Sequence, residues 1–144
     1  MVIEEALKAY LEADATLVGL IGVRLYPNTL PQDLKTWPAL VYRQTGSDGA
    51  TYLGAADGRS TLERDTFELE ARSPALTQAA AVRDRLRVLF NGAGCAGMWG
   101  GASGLRVRGA IFKDVFATED PRVTGENRVD RGLKCQVTII WVRG

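Results

Sequence analysis

Glu68 and Glu70 stand two residues apart, and two carboxylates on one face of an extended segment can share acid–base work or hold a cation. They also alternate with Phe67, Leu69 and Ala71, which is the pattern of a strand with one dry and one wet face. A solvated sheet face or a contact between subunits is the reading we carry forward. The chain has no histidine. That removes the commonest general base, the usual Ser/His and Cys/His nucleophile pairs and the commonest metal ligand. Catalysis by Lys, Asp or Glu stays chemically open.

Cys95 and Cys135 are far apart and form no C-x-x-C pair, so a zinc site is not expected. Two free thiols in a reducing cytoplasm are the expected state, with a single disulfide between them left open. Gly92-Ala93-Gly94-Cys95-Ala96-Gly97 has the letters of G-x-G-x-x-G. A phosphate cradle must follow a strand and open a helix, whereas this string follows a helical pattern and runs into more glycine. Gly54 to Ser60 has Arg59 where a P-loop needs lysine, and reads as a turn. Arg83, Arg85, Arg87, Arg106 and Arg108 are not interleaved with aromatics as in single-strand binders, and read as solvated faces or salt links. Met98 and Trp99 sit in a glycine-rich stretch, where large apolar groups either fold back onto the core or anchor a partner. No catalytic, cofactor or metal residue is expected.

The elements that must position these residues follow from composition and periodicity. The chain has 144 residues, 46% hydrophobic and 24% charged, with a net charge of +1. One soluble globular domain (1–144) fits these figures, and the balance makes no case for a dedicated nucleic-acid or membrane binder. Glu4 and Glu5 stand where a signal peptide would carry Lys or Arg, so a cytoplasmic origin is expected.

Helical spacing of Ile3, Ala6, Leu7, Tyr10 and Leu11 predicts a helix over Val2 to Ala13. Asp14 is positioned to cap a short helix that buries Leu17, Leu20 and Ile21 and ends at Gly22. Short strands are predicted at Val23 to Tyr26 and Ala39 to Thr45, then a long connection, arm or loop, over Gly46 to Gly58. Ser60 to Arg72 is the clearest strand and Leu76 to Asn91 the clearest helix. Gly92 to Gly104 reads as a loop. Leu105 to Phe116 reads as a strand with Val107, Ile111 and Val115 inward and a possible bulge at Gly109. Ala117 to Val129 reads as a charged loop or arm, and Asp130 to Arg143 as the last strand. The expected fold is α+β: a mainly antiparallel sheet of about four to five strands with helices packed on one face.

Some of these pieces resemble the tail completion, or tail terminator (tail-to-head joining), proteins of long-tailed phages. The resembling residues are Ile3-Glu4-Glu5-Ala6-Leu7, Asp14-Ala15-Thr16-Leu17, Val23-Arg24-Leu25-Tyr26-Pro27 and Trp37-Pro38-Ala39-Leu40-Val41-Tyr42. The Asp57-Gly58 turn, Phe67-Glu68-Leu69, the arginine-bearing helix to Phe90 and the apolar closing strand complete the likeness, which covers most of the chain. The resemblance implies a homo-oligomeric ring, usually a hexamer, in the virion at the head-proximal end of the tail, assembled in a bacterial host cytoplasm. It implies contacts with tail tube protein and with a head-tail connector or neck protein. It also implies that double-stranded DNA crosses the channel without specific binding, and it implies no membrane.

The assembly-interface candidates are Tyr52, Asp57, Arg59, Glu68, Glu70, Met98, Trp99, Glu119, Asp120, Arg122, Glu126 and Arg128. Two alternatives stay open. One is a neck or head-completion protein on the portal side. The other is a small ligand-binding or enzymatic α+β domain using Glu68 or Glu70.

Overall fold

The computed structural model describes residues 2–31, 33–50, 62–124 and 128–142, and all side chains among them except those of 48–50, 92–93, 115–124 and 128–131. The order of elements is α1 (Ile3–Glu12), α2 (Ala15–Ile21), β1 (Leu25–Pro27), β2 (Ala39–Ala50), β3 (Leu62–Ser73), α3 (Leu76–Leu89), a 3-10 turn (Gly92–Cys95), β4 (Gly97–Trp99), β5 (Leu105–Thr124) and β6 (Arg128–Val142). The strands form one sheet in the order β1-β2-β3-β6-β5-β4. β1 runs parallel to β2, and every other pairing is antiparallel.

The helices begin where the sequence places stop and start signals. Glu5 reaches back to the Val2 amide at 3.2 Å, satisfying one free donor at the start of α1. Asp14 accepts the Leu17 amide at 2.8 Å as the cap of α2, and Gly22 ends that helix at φ 59°, a backbone state that glycine adopts without strain. Ser73 Oγ accepts the Ala75 amide at 3.1 Å and contacts the Gln78 side chain, turning β3 into α3.

The core lies between the helices and one face of the sheet. Ala6, Leu7 and Leu11 of α1, Leu17 and Ile21 of α2, and Ala79, Val82 and Leu86 of α3 meet Leu40, Phe67, Leu69, Cys135, Val137 and Ile139. This is the expected two-layer arrangement, since each helix must bury its apolar stripe against a sheet face. A smaller cluster of Leu30, Ala39 and Val41, with Tyr26, Leu34 and Trp37 against it, covers one end of the opposite face.

The structure corrects the sequence reading in five places. The sheet has six strands rather than four to five. The unpredicted one is β4, a three-residue edge strand too short to show alternation, while the strand expected at Val23 to Tyr26 is β1 at Leu25–Pro27. β2 continues past Thr45 to Ala50 as one side of a long hairpin with β3, so part of the predicted connection is ladder. A bulge between Gln44 and Gly46 breaks the alternation there, and glycines hide the strand in the sequence. The stretch from Ala117 is likewise ladder, with β5 running to Thr124 and β6 beginning at Arg128.

The predicted loop over Gly92 to Gly104 contains the 3-10 turn and β4. Gly104 permits the tight return from β4 to β5, because a Cβ there would lie 1.9 Å from the Trp99 carbonyl oxygen. In β5, Val107 is buried as expected but Ile111 is 62% exposed. The register shift between Val107 and Gly109 turns Ala110 and Phe112 inward in its place. The side chain of Val115 lies outside the described residues.

Candidate assembly surface

The described candidates fall in three places: the sheet face turned away from the helices, the edge strand β4, and the long β5–β6 hairpin.

On the outer face, the ladder aligns Arg43 with Glu68 and Glu68 with Gln136, and one step along aligns Glu70 with Lys134. Arg43 donates to Glu68 at 2.6 Å, and Lys134 stands 3.6 Å from Glu68 and 3.9 Å from Glu70. Arg72 donates to Glu70 at 2.7 Å. Both glutamates are therefore engaged with two cations each. The geometry suits a fixed, charge-balanced face.

Met98 and Trp99 part company. Trp99 is 2% exposed, stacks on Tyr10 with ring centroids 4.1 Å apart, and donates its indole N–H to the Cys95 carbonyl at 2.9 Å. Met98, one residue earlier on β4, faces outward at 43% exposure. Trp99 thus belongs to the core, and of the two only Met98 remains an accessible contact.

The hairpin candidates divide by what is described. Tyr52, Asp57, Arg59 and Glu126 lie outside the described residues. Glu119 and Arg128 occupy ladder positions, paired with Arg131 and Thr124. Asp120 and Arg122 fall where the β5–β6 register shifts between Glu119 and Val123.

The helical layer is pinned by polar ties that sequence reading did not pair. Arg85 clasps the Asp14 carboxylate with two hydrogen bonds, at 2.9 and 2.6 Å, joining α3 to the cap of α2. This guanidinium holds the Asp14 carboxyl below its usual range. Tyr10 donates its hydroxyl to the Leu89 carbonyl at 2.6 Å, and burial raises its pKa to about 12. Arg24 holds the Trp37–Pro38 segment, whose peptide bond is cis, by donating to the Pro38 carbonyl at 2.8 Å and to Leu20 at 3.3 Å. Asp65 is 3% exposed and accepts from Gln44 at 2.8 Å and from the Trp141 indole at 2.5 Å. Arg87 pairs with Asp114. The partners are 71 residues apart for Arg85 and Asp14 and 76 for Asp65 and Trp141, distances at which no periodicity signals contact.

Cys95 and Cys135 are buried, and neither is in a disulfide. Burial pushes the Cys135 thiol up to about 12, and the nearby Asp114 carboxylate pushes the same way. Burial raises Cys95 as well. Such thiols are poor nucleophiles at neutral pH. The glycine string Gly92–Gly97 forms the 3-10 turn and the start of β4, without the strand-to-helix geometry of a phosphate site. Among the described residues, no group of three or more Cys, Asp or Glu stands close enough to hold a metal ion. No helix among them is long and apolar enough to cross a membrane.

No protein-family model matches the chain, and no curated protein matches it. Among solved structures, a chain described as "Virion of native gene transfer agent (GTA) particle" is similar in fold, with a TM-score of 0.57 and 17% sequence identity. The likeness covers 98% of this chain and 93% of that one. The shared property is the fold, carried through from α1 to β6.

Proposed function

We propose that this chain is a structural protein of a phage-type virion, and specifically a tail terminator. Copies form a ring that caps the tail tube, stops its growth and presents the surface to which the head joins. The observation that carries this reading is the fold likeness to a chain of a gene transfer agent virion, over nearly the whole length of both. The two hairpins support it. β2–β3 and β5–β6 are long antiparallel pairs whose far ends are set in opposing directions along the sheet. They are suited to reach the tube on one side and a connector on the other. The role we assign is architectural rather than catalytic, with the Glu68 and Glu70 charges compensated on the sheet and DNA passing the ring without specific contacts. A net charge of +1 suits that passage, because a strongly basic lumen would hold phosphates.

The test is the mass of the purified full chain by light scattering, with negative-stain images of the same peak, followed by addition to growing tail tubes. Closed rings and shortened, capped tubes are expected. A chain that stays monomeric and neither binds nor caps tube protein overturns the reading. Capture by connector protein alone would move the assignment to the neck, and a monomer carrying a small ligand would move it to a binding domain.

A further inference from the structure

We propose that, in the ring assigned above, neighbouring copies join by sheet continuation: the outer edge of β5 in one copy pairs with the outer edge of β2 in the next. The inference rests on the ring reading and adds the interface that builds it.

Strand polarity makes the first part of the case. β2 is antiparallel to β3, β3 to β6, and β6 to β5, so β5 runs opposite to β2. A second copy set beside the first in the same orientation brings its β2 against β5 in the antiparallel sense. The repeat can then continue from copy to copy, as a head-to-tail ring requires.

Edge exposure makes the second part. β1 covers β2 only at Leu40 to Tyr42, and β4 covers β5 only at Leu105 to Val107. The 3-10 turn packs against β5 but adds no ladder pair. Tracing the ladders across the sheet, Arg43 lines up through Glu68 and Gln136 with Lys113, and Asp48 lines up through Arg64 and Ile140 with Gly109. The same rows are thus unpaired at both edges among the described residues. From Gly109 to Asp114, β5 holds an unbroken register, has no proline, and carries the exposed Ile111. Bulges bound this run at either end, and within it Lys113 and Asp114 are the charged positions, so four consecutive uncharged residues, Gly109 to Phe112, are left open to strand addition.

Backbone geometry names the atoms. On β2, Leu40 donates to the Arg24 carbonyl at 3.0 Å and Tyr42 accepts from Asn28 at 2.9 Å, so these residues turn their peptide groups outward. Alternation continues the outward set to Gln44, and the bulge after it moves the set to Ser47 and Gly49. The same alternation carried across the ladder gives Ala110, Phe112 and Asp114 on β5. Lys113 shares a row with Arg43, so an unstaggered junction would set two cations side by side. A stagger between copies relieves this, and closing a sheet into a ring requires one.

The experiment is hydrogen–deuterium exchange by mass spectrometry on the full chain, as assembled rings and as diluted single copies. Rings are expected to slow exchange by roughly tenfold or more in Arg43–Gly49 and Gly109–Asp114, since each outward amide gains a hydrogen bond. Ser47→Pro, which removes an outward donor, should lose the ring while Ser47→Ala keeps it, with circular dichroism verifying the fold of both. Rings in which these two segments exchange as fast as in single copies overturn the edge pairing and leave the ring reading standing. Absence of rings at every concentration, together with failure to bind or cap tube protein, overturns both.

Discussion

Trp99→Ala separates the two readings of the glycine-rich segment, core contact or partner anchor, by stability alone. The ring is fully buried, stacked on Tyr10 at 4.1 Å, near Phe90 at 6.0 Å, and hydrogen-bonded to the Cys95 carbonyl. Removing a buried tryptophan costs about 3–5 kcal/mol. The stacking contribution and the orphaned carbonyl keep this case from the bottom of that range. For a urea slope of about 2 kcal/mol per molar, the midpoint should fall by about 2 M. Trp99→Phe keeps the ring stack but strands the carbonyl, and should cost about 1–3 kcal/mol. The assay is urea unfolding followed by far-ultraviolet circular dichroism at a concentration where single copies prevail. Met98→Ala serves as the exposed control and should stay within about 0.5 kcal/mol of the parent. A Trp99→Ala loss below about 1 kcal/mol would refute the core placement and return Trp99 to the surface.

Four further outcomes follow from the same geometry. Asp14 has a lowered pKa, so its contribution is present above the ordinary carboxylate value and is lost as pH falls through the depressed one; Asp14→Asn, which can still cap α2, should flatten that acid limb in pH-dependent melting. Tyr10 has its pKa raised from 10.0 to about 12, so its stabilising effect is full below pH 10 and is lost between those values; Tyr10→Phe should remove that part of the alkaline decline. Cys95 and Cys135 should resist a maleimide reagent at pH 7.5 in the folded chain and react together in urea, as read by intact mass. Gly104→Ala drives a methyl group into the Trp99 carbonyl and should cost about 1–3 kcal/mol by denaturant titration, whereas Glu68→Gln on the outer face should cost no more than about 1 kcal/mol.

Much of the layered fold was legible because burial imposes a period. Ile3, Leu7 and Leu11 mark α1, Asp14 and Gly22 bracket α2, and Phe67, Leu69 and Ala71 reveal the inward face of β3. What escaped was written in hydrogen bonds rather than in side-chain pattern. The outer half of β2 and the far half of β5 are held by ladder pairing, so glycine and charge there conceal strands. Ile111 looked inward by simple alternation, and one extra residue at the bulge turned it out. The outer-face carboxylates lie on a charged strand face, half-buried among Arg43 and Lys134, partners that come from other strands. The ties between Asp14 and Arg85 and between Asp65 and Trp141 depend on chain closure across the whole domain.

The junction of β3 with β6 also governs how the domain comes together. β2 with β3, and β5 with β6, are neighbours along the chain, so each pair closes over a short separation. β3 and β6 meet only after the segment between Ser73 and Arg131 has been drawn into a loop, and their most distant partners are Leu62 and Val142. The entropy of that closure falls on a single seam, repaid only once Phe67, Leu69, Cys135 and Val137 lie side by side under α3. By sequence separation, the seam between the two hairpins is the costliest closure in the sheet. Until it closes, each hairpin carries one uncovered inner edge, and premature meetings between chains would exchange halves.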